Sequence, residues 1–178
     1  MVLIIGAGPI GIMHLLLAKL SGARTVIVSE VSETRLQQAE EPGADVLINP
    51  EREDLKTAVL QASQGQGASV VIVAAAIPHA QEEALELASQ QGRINFFGGL
   101  PKDRPLIQIN SNLIHYKQLI VTGTTGSNVR QYRATMNLIA AGRLQVDGLV
   151  SATLPLDQFR VGIERTQSGR EMRILVEP

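Results

Sequence analysis

Val2-Leu3-Ile4-Ile5-Gly6-Ala7-Gly8-Pro9-Ile10-Gly11 opens the chain, and a later apolar run, Thr25-Val26-Ile27-Val28, ends in Ser29-Glu30. The order reads as strand, glycine-rich turn, helix, strand, acid, which is the order of parts in a dinucleotide-binding fingerprint. Gly6 lets the chain leave the strand in a tight turn. Gly8 carries no side chain, so a pyrophosphate can approach the backbone. Gly11 lets the helix pack close to the strand. Pro9 suits the first turn of that helix, where its missing N–H costs nothing. The free N–H groups and the helix dipole favour an anion there. Glu30 lies 19 residues after Gly11 (30 − 11), close to the spacing of about 20 at which such folds carry a ribose-binding acid. Its carboxylate can accept from both ribose hydroxyls and repels a 2′-phosphate, which favours NAD(H) over NADP(H). The same glycines could serve a turn that binds nothing, but the flanking strand, helix and acid favour the ligand.

Short apolar runs alternate with helical patterns along the rest of the chain. The first helix is expected from about Pro9 to Ser21, with Ile10, Met13, Leu17 and Leu20 on its inner face and Gly22 closing it. Ser32 can cap a second helix with Leu36 and Ala39 inside, ended by Pro42-Gly43. Val46-Leu47-Ile48 is a third strand and Asp54 to Ala62 a helix. Gly65-Gln66-Gly67 turns into Val70-Val71-Ile72-Val73, a fully apolar and therefore central strand. Pro78 opens a helix with Ala84, Leu87 and Ala88 inside, which Gly92 ends. Arg93 to Phe97 and Leu119 to Val121 are the fifth and sixth strands. A helix from Val129 to Ala141 is closed by Gly142. Val150 to Leu154 forms a strand. Leu156-Asp157 starts a last helix, with Asp157 as cap and Leu156 stapled against Val161. Gly169 ends that helix, and Met172 to Val176 is the final strand. Six strands alternating with helices give an α/β fold: a doubly wound, parallel six-stranded sheet with helices on both faces. The expected division is a Rossmann domain at 1–146 and a strand-helix-strand segment at 147–178.

Bulk composition agrees. A chain of 178 residues can bury one sizeable core. Aromatics make up only 3%, so the core must rest on Val, Ile, Leu and Ala, as in a buried parallel sheet. The net charge of −1, without basic blocks, argues against nucleic acid and anionic membrane surfaces. No cysteine is present, which excludes disulfides and thiolate chemistry within these residues and fits a cytoplasmic protein. Val2 to Leu20 is too interrupted for a membrane helix or signal peptide, with four Gly or Pro residues inside Gly6 to Gly11.

Ligands of such sheets bind beyond the carboxyl ends of the strands. That selects Ala74-Ala75-Ala76, Gly98-Gly99-Leu100 and Gly123-Thr124-Thr125. Helix-proximal packing and simple turns are the plainer readings of these three loops. Arg35 could lay its guanidinium over an adenine, or be a solvated helix-face charge. His14, His79 and His115 show no metal-ligand spacing, and packing or surface roles are favoured for all three. No catalytic residue or metal ligand is expected in these residues.

Together, Gly6 to Gly11, Glu30 with Arg35, Gly43-Ala44-Asp45, Gly92-Arg93, Phe97-Gly98-Gly99-Leu100 and the closing helix and strand resemble the cofactor-binding half of the medium-chain dehydrogenase/reductase family. The nearest branch is the zinc-dependent alcohol, sorbitol and threonine dehydrogenases. The resemblance implies that Gly6, Gly8, Pro9, Ile10 and Gly11 contact the pyrophosphate, that Glu30 binds the ribose and that Arg35 lies by the adenine. It implies that Ala75, Gly98, Gly99, Leu100, Gly123 and Thr124 line the nicotinamide side, and that the sixth strand pairs two copies into a homodimer. Family members carry an N-terminal domain with the zinc and the alcohol or polyol substrate. These residues begin at the first strand of the cofactor domain, which suggests an excised domain or truncated frame, inactive alone. Glu30 replaces the family's frequent Asp and keeps its charge. Ala76 stands where glycine is frequent, and its methyl group would crowd the cofactor. A stand-alone NAD(H)-binding or sensing module that works with a partner chain is the alternative. A flavin or S-adenosylmethionine user is a third reading, which the continuous match disfavours.

Overall fold

β-Branched and leucine-rich segments form the centre of the fold because both faces of their sheet are covered. A computed structural model describes residues Met1–Pro178, which divide into two compact units, Met1–Gly126 and Ser127–Pro178. In the first unit, strands β1 (Val2–Ile5), β2 (Val26–Ser29), β3 (Val46–Ile48), β4 (Ala68–Val73), β5 (Ala88–Phe96) and β6 (Ile120–Gly123) form one sheet. Its order is β3-β2-β1-β4-β5-β6, and every neighbouring pair is parallel. Leu3, Ile27, Val71 and Ile94 are completely buried. The expected doubly wound sheet is therefore present, with β1 and β4 central. Chain order reverses between these two strands, and a crevice opens at their carboxyl ends.

Helices α1 (Pro9–Leu20), α2 (Glu33–Gln38), α3 (Leu55–Ala62), α4 (Pro78–Leu87) and α5 (Ser111–Lys117) connect the strands. The buried face of α1 is Gly11, Ile12 and Leu15 rather than the expected Ile10, Met13, Leu17 and Leu20. Leu17 is exposed. Gly11 sets the helical phase, because it is the point of closest approach to the turn, and Ile12 and Leu15 follow on the same face. Gly22 takes φ 81° as expected. It and Ala23 donate to the carbonyls of Lys19 and Ala18, a Schellman ending. Ser32 occupies the cap position of α2, but its hydroxyl makes no capping bond. Asp54 caps α3 through the Thr57 N–H at 2.7 Å.

One helix end and one helix also differ from the expected pattern of the first unit. Helix α4 stops at Leu87, not Gly92, because Ala88 is already extended and pairs with Ala68 of β4. Helix α5 falls in a polar stretch that shows no apolar period. Asn110 starts it by accepting from the Asn112 N–H, and Gln118 ends it in the left-handed region.

The second unit holds α6 (Val129–Ala140), β7 (Val150–Pro155), α7 (Phe159–Gln167) and β8 (Arg173–Glu177). Asn128 and Gln131 form a reciprocal capping box at the start of α6. β7 and β8 make their own two-stranded parallel sheet, with α7 as the crossover. Asp157 does not cap α7: Leu156–Gln158 is a 3₁₀ turn and Gln158 holds the cap position. No helix of the chain is long and apolar enough to cross a membrane.

Candidate cofactor site

The glycine-rich turn divides its work among three glycines. Gly6 has φ 103°, and a Cβ on it would stand 3.3 Å from Ala75. A Cβ on Gly11 would come within 1.9 Å of the Gly6 carbonyl oxygen, so α1 sits directly on the turn. Gly8 is different, since a Cβ there would meet nothing within 4 Å. It caps α1 without any side chain and leaves open space over the helix start. The first backbone bond of α1 runs from Ile12 N–H to Gly8 O at 3.0 Å. The N–H groups of Ile10 and Gly11 thus precede the ladder, and Pro9 has none. This geometry suits an anion at the N-terminal end of the helix.

Glu30 lies just past β2 with its side chain only 9% exposed. Its Oε2 accepts from the Ala7 N–H at 2.9 Å and its Oε1 from the Ser32 N–H at 3.1 Å. Arg35 Nη1 stands 3.9 Å from Oε2. The carboxylate is thereby tied to the glycine-rich turn on one side and to the start of α2 on the other. Asn49, beyond β3, is a further part of this corner that sequence reasoning missed. It is buried, and its amide donates to Val31 O at 3.1 Å and to Glu33 Oε1 at 2.5 Å. Its own Oδ1 accepts from the Glu51 N–H at 3.0 Å. The Asn49-Pro50 pair directly after a strand was the available signal.

A cleft of about 730 Å³ opens between the loops that follow β2 and β4. Gly6, Glu30, Arg35, Ala75 and Ala76 all line it. Val31 and Ile77, 49% and 53% exposed, present apolar surface to it from the β2 and β4 loops. His79 and Glu83, on α4, also line the cleft. Burial pushes the Glu83 carboxyl above the usual carboxylate range.

The other expected site residues lie along the same edge of the sheet but do not line this cleft. Gly98 and Gly99 follow β5 and Gly123 ends β6. A Cβ on Gly98 would fall 2.6 Å from the Ala75 carbonyl oxygen, and the Gly98 carbonyl accepts from Gln81 Nε2 at 2.9 Å. Its glycine is required by packing between the β4 and β5 loops. Gly99 is open on all sides, with nothing within 4 Å of a Cβ. Leu100 is half-buried and Thr124 exposed, the latter bonded to Asn95 Oδ1 at 3.2 Å. His14 packs edge-on against Phe97, ring centroids 4.7 Å apart, and His115 against Tyr116. No three His, Asp or Glu side chains converge as a metal-ligand group.

A doubly wound sheet, a glycine-rich turn beneath its first helix and an acid after its second strand define a Rossmann-type domain. The chain belongs to the zinc-binding dehydrogenase family, whose characteristic sequence pattern matches residues 9–141. The L-threonine 3-dehydrogenase of Pyrococcus furiosus is 35% identical over 176 residues, 98% of this chain and 50% of that protein. That of Symbiobacterium thermophilum is 37% identical over 180 residues, 99% of this chain and 50% of that protein. A Sinorhizobium meliloti 1021 structure, described as a zinc-binding dehydrogenase bound to NADP, superposes with a TM-score of 0.90 at 30% identity, over 99% of this chain and 52% of that one. An alcohol dehydrogenase of Escherichia coli CFT073, complexed with NADH, does so at 0.88 and 25% identity, again over 99% and 52%. The chain spans about half the length of the curated relatives it matches, corresponding to the C-terminal half of threonine and alcohol dehydrogenases.

Proposed function

We propose that this chain binds NAD(H) and serves as the cofactor half of a zinc-type alcohol or polyol dehydrogenase. The carrying observation is Glu30, a nearly buried carboxylate joined to the Ala7 N–H at the rim of the cleft. A carboxylate offers about four lone-pair sites, so two bonds to the backbone leave room for ribose hydroxyls. One solved neighbour holds NADH and another NADP. The preference for NAD(H) in this chain therefore rests on its own residue 30, whose charge opposes a 2′-phosphate.

Gly6, Gly8, Pro9, Ile10 and Gly11 are assigned to the pyrophosphate, Glu30 to the ribose and Arg35 to the adenine side. Ala75, Gly98, Gly99, Leu100, Gly123 and Thr124 are assigned to the nicotinamide side. Ala76 lines the cleft, and its methyl group narrows the cofactor's space. Bound nicotinamide supplies hydride chemistry, while this chain binds and orients it. Zinc, alcohol or polyol substrate and catalytic groups are assigned to a partnering domain, with which residues 147–178 pack. Strand β6 is an edge of the sheet with Ile120 half exposed, which supports pairing of two copies through that strand. A cytoplasmic location and no dealings with nucleic acid or membrane complete the proposal.

Titration of the purified chain with NADH and NADPH tests this. Saturable binding that favours NADH is expected. Glu30→Ala should weaken NADH by about tenfold or more, the worth of a hydrogen bond to a charged group, and erase the preference. A variant that folds and keeps the wild-type NADH/NADPH ratio would falsify the role of Glu30. Absence of binding to either dinucleotide would sink the cofactor assignment itself.

A further inference from the structure

We propose that Glu83 reads the 6-amino group of the bound adenine and so selects adenine dinucleotides over their 6-oxo counterparts. The inference rests on the dinucleotide reading and adds the residue that recognises the base. Three carboxylates line the cleft: Glu30, Asp54 and Glu83. The first two are already engaged. Glu30 accepts from Ala7 and Ser32, and Asp54 accepts from Thr57 as the cap of α3. Glu83 is half-buried and has only through-space charge neighbours, namely His79, Asp54, Glu86 and Lys56. Its oxygens stay open to the cleft rather than sealed in the core, so their lone pairs are free to accept from a ligand.

The surrounding surface says what that ligand group should be. Val31 after β2 and Ile77 after β4 are large apolar side chains left exposed, and both face the cleft that holds Glu83. Apolar walls of this kind suit the flat faces of a base and leave its polar edge to be read by another group. Glu83 sits one helical turn beyond His79 on α4, on the same lining as Pro50 and Leu55. An ionised carboxylate is an acceptor only, so it matches an exocyclic amine. A 6-oxo base turns a carbonyl lone pair toward it instead. Sites built to hydrogen-bond a substrate group reject the analogue that lacks it, because their buried partner is left unpaired.

The test is calorimetric titration of the purified chain with NADH and with reduced nicotinamide hypoxanthine dinucleotide, its 6-oxo analogue. The wild type should prefer NADH by about tenfold or more. In Glu83→Ala the ratio should fall to near one, through weaker NADH binding. In Glu83→Gln the carboxamide can donate to the 6-oxygen, so the analogue should recover or overtake NADH. A wild-type ratio near one, or a ratio unchanged in folded Glu83→Ala, overturns the proposal while leaving dinucleotide binding standing. Failure of the wild type to bind either dinucleotide overturns both together.

Discussion

His14, unlike the exposed His79 and His115, is half-buried, and its ring meets Phe97 edge-on. Burial pushes its imidazole below the ordinary histidine range. The unfolded chain therefore takes up this proton at a higher pH than the folded chain does, and stability rises with pH across that interval. Acidification from about pH 7.5 to about pH 5.5 should cost stability that a His14→Gln variant does not lose. Urea midpoints of both proteins at the two pH values check this, and equal losses would exclude His14 as the source. Single residues were legible in the sequence where a local constraint forces their type. Gly6 and Gly11 are of that kind, since one needs a positive φ and the other lies against a carbonyl five residues away (11 − 6). Gly98 was not, because what demands it is the backbone of Ala75, in another loop. Asn49 escaped notice for the same reason: its partners Val31 and Glu33 belong to a different connection. Glu83 stood out only once the fold placed it in the lining of the same cleft as Val31.

The elements most legible in sequence were those with a period or a forced stop, such as the apolar strands and the glycine-ended helix α1. Helix phase was less so, since counting apolar residues placed Leu17 inside α1, whereas the approach at Gly11 turns Ile12 and Leu15 inward. The C-terminal end of α4 shows why boundaries elude a local reading. Lys117, on the distant helix α5, donates its ammonium to the carbonyls of Leu85, Glu86 and Ala88 at 3.1, 2.8 and 2.8 Å. Those carbonyls lack partners within α4, and a cation at that end also suits the helix dipole. One side chain thus ends α4 and fastens α5 beside it, in a segment whose own pattern predicted neither feature. Lys117→Met keeps the aliphatic stem and removes the three bonds. We expect a loss of about 1–3 kcal/mol, the cost of leaving partly buried carbonyls unpaired. Chemical denaturation measures it, and a variant as stable as the wild type would show that water replaces the ammonium.

At the scale of the whole molecule, the two units differ in how much core they own. The main cluster of buried side chains, from Leu3 and Ile5 through Val71 and Val73 to Ile94 and Leu119, lies entirely within Met1–Gly126. Among residues 127–178, only Leu144, Leu149 and Met172 are buried hydrophobics, while Val129, Tyr132, Leu156 and Phe159 are each more than half exposed. Small segments bury too small a fraction of their surface to offset the entropy of ordering the chain. The first unit should therefore fold without the second, and the second should not fold without help. A fragment of residues 1–126 is expected to unfold cooperatively and to bind NADH with nearly the affinity of the 178-residue chain, since the cleft lies wholly within it. A fragment of residues 127–178 should show the circular dichroism of a largely unfolded peptide. Limited proteolysis of the 178-residue chain should first yield a stable product ending near Gly126, where the units divide. A non-cooperative 1–126 fragment would mean that the six-stranded sheet depends on the closing segment, and the division of stability argued from the buried cluster would be wrong.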